Sequence, residues 1–195
     1  MDKEELQKII EDVDIENNQD PRKVTDDGLE VGYELFYAKL MTKWINILSA
    51  NPSDNLLISG RGIHLKRWMH PRDSYPKGLP GYFQWKKALQ KFHCSEMLSL
   101  LEKYSLEKVA TEKISSLILK TNLGNCSETQ VIEDAVSLIF IEHQLLPLLE
   151  KSGEEKVINA IQKTWAKMSE NGQKNALELD LPKESNEIIQ KALKS

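Results

Sequence analysis

The run HLKRWMHPRDSYPKGLPGYFQWKKALQKFHCSE, from His64 to Glu96, decides how this chain reads. Its second half carries Tyr82, Trp85, Leu89 and Phe92, continued by Met97 and Leu100, at the spacing of one apolar helical face. Its first half cannot be helix throughout, because Pro71, Pro76 and Pro80 fix φ and remove backbone donors while Gly78 and Gly81 supply turns. The expectation is an ordered loop from His70 to Gly81, lying over a site. A long helix then starts near Pro80, a residue suited to a first helical turn, and ends at about Tyr104.

The same 3.6-residue period recurs on both sides of this run. It predicts a first helix from about Lys3 to Val13 and a second from roughly Leu29 to Leu48, with Phe36, Leu40, Trp44 and Leu48 on one face. A third is expected from after Ser53 to Trp68, where Ser59, Gly60 and Gly62 leave room for close backbone approach. Ser105 caps a fifth to Thr121, and a Ser127/Gln130 capping box opens a sixth to Glu150 unless Pro147 kinks it. A seventh spans about Glu154 to Met168 and a short eighth lies near Glu184 to Leu193. No alternating β-branched run is long enough to build a sheet. The reading is all-α: a single compact helical domain over residues 1–195, with about seven to eight helices. A chain of 195 residues buries roughly 70% of its unfolded surface, so one core suffices.

Composition narrows the classes. Hydrophobic residues make up 40% and charged residues 29%, which excludes intrinsic disorder and collagen-like or low-complexity chains. The most apolar stretch, Val131 to Leu149, is broken by Glu133, Asp134, Glu142 and His143, so no spanning helix is expected and no membrane partner. The start MDKEELQKII is acidic where a signal peptide is basic, and Cys94 and Cys126 make no disulfide framework. A cytoplasmic protein is the expectation.

Charge is unevenly placed. Residues 61–91 hold eight basic side chains against Asp73 alone, a net of +7, and the rest of the chain carries 18 basic against 29 acidic, a net of −11. A basic island in an acidic body points to an anionic ligand. Lys66, Arg67 and Arg72 form a donor set for phosphate or carboxylate, and Tyr75, Tyr82 and Trp85 can stack on a base or ring. The alternatives are a solvated basic face and aromatics that merely pack.

Polar residues on apolar faces are the second signal. His93 and Glu96 fall inside the apolar face of the fourth helix, a costly placement unless each finds a partner. A core histidine satisfied by Glu96 is the bland alternative. On the sixth helix a wheel at 100° per residue puts Glu142 near the buried centre, His143 at its edge, Asp134 on the cleft flank and Glu133 on the polar side. A buried Glu142 demands a cation, for which Arg61, Arg67 or Arg72 is expected.

The run from His64 to Glu96 resembles the hallmark of a family known as domain of unknown function 4202. Further marks are Asp14, Asn17, Asp20 and Pro21, then ELFYAKLMTKW from Glu34, QVIEDAVSLIFIEH from Gln130 and KTWAKMS from Lys163. The resemblance covers nearly the whole chain and implies no particular chemistry. A more distant likeness is to the all-helical HD phosphohydrolases, whose metal ligands follow the order H…HD…D. It implies an HD-domain-like fold in which His64, His93 and Asp134 form the catalytic set and hold a divalent metal ion. Leu65 stands where the doublet has its aspartate, and the second helix has no histidine. Lys167, Met168 and Ser169 echo a class I aminoacyl-tRNA synthetase signature, but no HIGH motif or Rossmann pattern accompanies them.

Three function classes follow. The first is a metal-dependent phosphohydrolase acting on a nucleotide or other phosphorylated small molecule, with Lys66, Arg67 and Arg72 on the phosphate and Tyr75, Tyr82, Trp85, Glu96, Glu142 and His143 completing the ligand site. The second is a non-catalytic nucleotide- or RNA-binding module of the same fold, and the third a scaffold whose polar cluster is structural. All rest on the third, fourth and sixth helices converging.

Overall fold

The structure is a computed structural model, and it describes residues 1–194. The chain is mostly helical, with one two-stranded antiparallel sheet among the described residues. Helix α1 (Lys3–Asn17) starts where the Asp2 carboxylate accepts the Glu5 N–H at 2.8 Å, and it buries Ile9 and Val13. It runs a turn longer than the sequence reading placed it.

Strands β1 (Lys23–Asp26) and β2 (Leu29–Gly32) follow, with Val24 opposite Val31. The sequence reading had put Leu29 to Gly32 in a helix. Asp27 (φ 49°) and Gly28 (φ 79°) both adopt the left-handed region, as a two-residue Asp-Gly hairpin turn requires. The strands are so short that no alternation signal precedes the turn.

Helix α2 (Tyr33–Leu48) is the central element, packed against α1, α3 (Asp54–Arg61) and α6 (Ser127–Ile139). Ser53 caps α3 by accepting the Leu56 N–H at 3.1 Å. α3 ends seven residues before the expected Trp68, at a pair of close approaches. A Cβ on Gly60 would lie 2.1 Å from Ile45 Cδ1, and one on Gly62 would lie 2.5 Å from Met97 Sδ. The glycines therefore let α3 sit against α2 and let the chain just after it pass close to Met97 of the helix that follows.

From Gly62 to α4 (Leu79–Leu101) the chain is irregular but densely tied, with 3-10 turns at Arg67–Met69 and Arg72–Ser74. The Arg72 guanidinium donates to the carbonyls of Tyr75 (3.1 Å), Pro76 (2.9 Å) and Gly78 (3.4 Å). Trp85 Nε1 donates to the His70 carbonyl at 3.1 Å, and His70 Nε2 meets the Tyr75 hydroxyl at 2.8 Å. The loop is ordered by these contacts as much as by its prolines.

Helix α5 (Lys108–Ile118) leads by left-handed Lys120 (φ 51°) and Asn122 (φ 60°) to α6. Cys126 occupies the N-cap of α6 without a side-chain cap, so the expected Ser127/Gln130 box does not form. Gln130 instead donates to the Asp134 carboxylate (3.0 Å) and the Lys167 carbonyl (2.8 Å). After α6 a π turn, Phe140–Gln144, precedes α7 (Leu145–Ser152). Pro147, whose ring crowds the carbonyl four residues back at His143, lies just beyond this turn. Helices α8 (Glu154–Trp165), α9 (Glu170–Leu177) and α10 (Lys183–Lys194) close the bundle. α9 was not expected; Ser169 caps it by accepting the Gly172 N–H at 3.1 Å.

One apolar core runs through the molecule, from Ile9 and Met41 through Ile58, Met97, Leu117 and Leu138 to Ile161. Among the described residues no helix is long and apolar enough to cross a membrane.

Gly81 tests the loop anchoring. A Cβ there would lie 1.9 Å from the Pro76 carbonyl oxygen, a backbone atom that cannot swing aside. Gly81→Ala is expected to cost about 1–3 kcal/mol, like other overpacking changes, and to lower the melting temperature by several degrees. An unchanged melt would show that the loop does not hold this conformation.

Candidate functional site

The site is built on charges that have lost their water. Asp20 and Glu34 have no side-chain exposure, and Arg22 bridges them with Nη2 at 2.6 Å from each carboxylate. Asp20 also accepts the Arg22 Nε–H (3.0 Å) and the backbone N–H groups of Arg22 (2.9 Å) and Glu34 (3.2 Å). This pins the hairpin to the start of α2. The second Glu34 oxygen, Oε2, accepts no hydrogen bond and faces His64 Nδ1 at 3.5 Å, while Arg67 Nε stands 3.9 Å from Oε1. Burial raises the Glu34 pKa, and the guanidiniums of Arg22 and Arg67 oppose that rise.

His64 stacks on Tyr37 with ring centroids 4.3 Å apart and faces His93 at 5.5 Å. His93 is buried, and its Nδ1 lies 2.8 Å from the Leu65 carbonyl oxygen. A carbonyl only accepts, so Nδ1 carries the proton and Nε2 presents a lone pair, which has no partner. Burial, then His64 beside it, pushes the His93 pKa down to about 3. Burial, then Arg67, Lys120 and Arg22, holds that of His64 well below the usual imidazole range. Both rings are neutral near pH 7.

Above this pair opens a cleft of about 590 Å³. Tyr82, Trp85, Lys86, Leu89 and Gln90 of α4 form one wall, and Ile118 to Lys120 with Glu133, Val136, Ser137 and Phe140 form the other. Arg67 sits over the Trp85 ring at 5.2 Å. Lys120 Nζ meets Glu133 at 2.7 Å, and Lys167 approaches the same carboxylate at 3.8 Å. Burial lowers the Lys120 pKa against the pull of Glu133; burial would raise Glu133, but Lys120 and Lys167 hold it below the usual range. Among the described lining residues, Arg67, Lys86, Lys120 and Lys167 face Glu133 as the one acid.

Of the residues singled out in the sequence, the fold gathers His64, Arg67, Tyr82, Trp85 and His93 at this cleft. Others lie elsewhere. Arg72 staples its own loop, and Tyr75 bonds to His70. Lys66 bridges Glu16 (3.3 Å) and Glu96 (3.1 Å) along a second groove, so Glu96 satisfies a lysine and not His93. Glu142 takes no arginine; it accepts from Lys43 (3.3 Å) and Trp44 Nε1 (3.0 Å), with His143 3.4 Å away and edge-on to Phe36. Arg61 is occupied by Asp14, with two contacts of 2.6 Å. Asp134 points to α9, accepting from the Ser169 N–H (2.9 Å) and hydroxyl (2.5 Å).

The wheel misplaced the acids of α6. Glu133 and Asp134 are the buried ones, while Glu142 keeps 21% of its side-chain exposure. Glu142 lies inside the π turn, where each residue advances less than the 100° the wheel assumes. Sequence reasoning also missed Lys120, Glu133 and Lys167 as cleft residues. Lys167 and Glu133 carried a signal, their places in the KTWAKMS and QVIEDAVSLIFIEH runs, and Lys120 carried none. Among the described residues no three His, Cys, Asp or Glu side chains form a group that could hold a metal ion.

The neutral histidines make stability depend on pH. Unfolded histidines take up protons near pH 6.5, whereas His93 resists until about pH 3, so its contribution is complete above pH 6.5 and lost as pH falls toward 3. Glu34, with its raised pKa, acts in the opposite sense. Comparison with His93→Asn, which keeps a donor for the Leu65 carbonyl, isolates the histidine. Urea unfolding from pH 7 to pH 4 is expected to show about one proton fewer taken up by the variant; equal uptake would mean that His93 titrates normally in the folded state.

No curated protein and no solved structure matches the chain. A family model described as a domain of unknown function (DUF4202) matches residues 7–189. That span takes in the Asp20–Arg22–Glu34 network, both histidines and every residue lining the cleft, and the chain belongs to the DUF4202 family.

Proposed function

We propose that the cleft binds a small phosphorylated molecule that carries a flat ring, in chemistry a nucleotide. The observation that carries this is the convergence of Arg67, Lys86, Lys120 and Lys167 on one concavity of a chain whose remainder is acidic. Two of the four come from outside the basic island, so the field is assembled by the fold. Trp85 and Tyr82 supply a ring-sized apolar wall, and Arg67, placed over Trp85, offers a guanidinium suited to bidentate contact with phosphate. The unpartnered Nε2 of His93 at the floor is suited to accept a hydrogen bond from a ligand hydroxyl.

Binding is favoured over hydrolysis. The metal set of a phosphohydrolase, His64, His93 and Asp134, does not fit, because the Asp134 carboxylate is taken by Ser169 and Gln130. A histidine with a pKa of about 3 is also a poor general base at neutral pH, since proton transfer works best with a pKa near the working pH.

Calorimetry with adenosine, AMP, ADP and inorganic phosphate tests the reading. Affinity is expected to rise with phosphate count, and Arg67→Ala and Lys120→Ala each to weaken ADP binding by roughly tenfold or more. Arg72→Ala is expected to loosen the loop with a smaller effect on affinity. Equal affinity for adenosine and ADP would sink the anion site. Phosphate release on addition of Mn²⁺, abolished by His64→Ala, would restore the hydrolase reading.

A further inference from the structure

Helix α4 presents a second face that the cleft does not use. Leu79, Phe83, Lys87 and Lys91 follow one another every four residues along its exposed side, beside Tyr82 and Lys86 at the cleft edge. Phe83 is 62% exposed and Tyr82 40%, their rings 5.6 Å apart and edge to face. Large apolar side chains at such exposure, set side by side, mark a contact surface. No acidic residue occurs between Asp73 and Glu96; Lys86 feels only Glu133 across the cleft, and among the described residues Lys77, Lys87 and Lys91 form no ion pair. The face thus places two exposed rings one turn before a row of lysines, where a docking site for a protein helix would have a continuous apolar stripe.

We infer that this face binds a single-stranded nucleic acid that continues out of the cleft, its bases stacking on Tyr82 and Phe83 and its phosphates on Lys86, Lys87 and Lys91. The inference rests on the cleft being a nucleotide site, since the strand is the polymer of that ligand. Exposed rings and lysines along one face, continuous with the cleft edge at Tyr82 and Lys86, are what a strand needs, because every base has a stacking face and every linkage a negative charge. From Leu79 to Lys91 the face runs about 18 Å at ~1.5 Å per residue, the span of a few nucleotides. A duplex is disfavoured: its bases are already stacked, and the remaining −11 of the chain repels phosphates beyond this patch. RNA and DNA share the recognised chemistry, and the test separates them.

Anisotropy with fluorescein-labelled RNA and DNA hexamers, set against AMP affinity by calorimetry, decides the matter. One or both hexamers are expected to bind at least tenfold more tightly than AMP and than a twelve-base-pair duplex, and the ratio of the two identifies the source. Lys87→Glu with Lys91→Glu, and separately Phe83→Ala, are expected to weaken hexamer binding at least tenfold and leave AMP affinity and the melting temperature unchanged. None of the three lines the cleft. Hexamers that bind no better than AMP or the duplex, or unaffected variants, overturn the strand inference and leave the nucleotide reading intact. Failure of AMP to bind overturns the nucleotide reading, and the strand inference with it.

Discussion

Two carboxylates with no access to water, sharing one arginine at 2.6 Å, hold the cleft end of this molecule together. Asp20 and Glu34 lie on opposite sides of the hairpin, so Arg22 can satisfy both only when β1 and β2 are paired and α2 has begun. Glu34 stands in the first turn of α2, where unpaired backbone N–H groups favour a negative charge. Such an arrangement gains little net stability, because desolvation offsets most of the attraction. Its effect is geometric: with Arg22 shared between the two acids, Glu34 retains attraction for Arg67, and the irregular segment after α3 that carries Arg67 and His64 lies over it.

That constraint explains why the cleft is cationic and its floor neutral. Burial, and then the charges of Arg67, Lys120 and Arg22, make a further positive charge at His64 costly. Protonated imidazoles at the floor would have to compete with Arg67 for Glu34. Kept neutral, the histidines leave Glu34 to Arg22 and Arg67, while Glu133 tempers Lys120 and Lys167 from the α6 wall. An anion in the cleft would offset the cations' share of this effect and leave the larger share, which is burial.

What could be read in the sequence was direction along helices; what could not was depth and reach. The apolar face of α4 was legible because Tyr82, Trp85 and Leu89 repeat at helical spacing, and His93 stood out as polar within it. The hairpin was not, although Asp27-Gly28 is a hairpin signal, because four-residue strands show too little alternation to compete with the helix that follows. Arg67 and Arg72 are indistinguishable in sequence, five residues apart in one basic run. They are separated by the 3-10 turns, which lay one over Trp85 and fold the other back onto loop carbonyls. Lys43 and Trp44 meet Glu142 from nearly a hundred residues away, a contact no local pattern announces.

The acids Glu133 and Asp134 show the same limit in its sharpest form, and they also explain the shape of the cleft. Adjacent on α6, they point about 100° apart, so one faces the cleft and the other faces α9. A Cβ on Gly172 would lie 2.6 Å from Asp134 Cγ, so only glycine lets α9 come close enough for Ser169 to donate both its N–H and its hydroxyl. The carboxylate, the serine cap and the glycine form one clamp, and it fixes the chain just after α8. Lys167 lies two residues before Ser169, and its carbonyl is held by Gln130 from the same helix. The clamp therefore brings Lys167 to the rim, where Glu133 meets it. Asp134 shapes the cleft by holding the segment that carries Lys167, and it does so without lining the cleft itself.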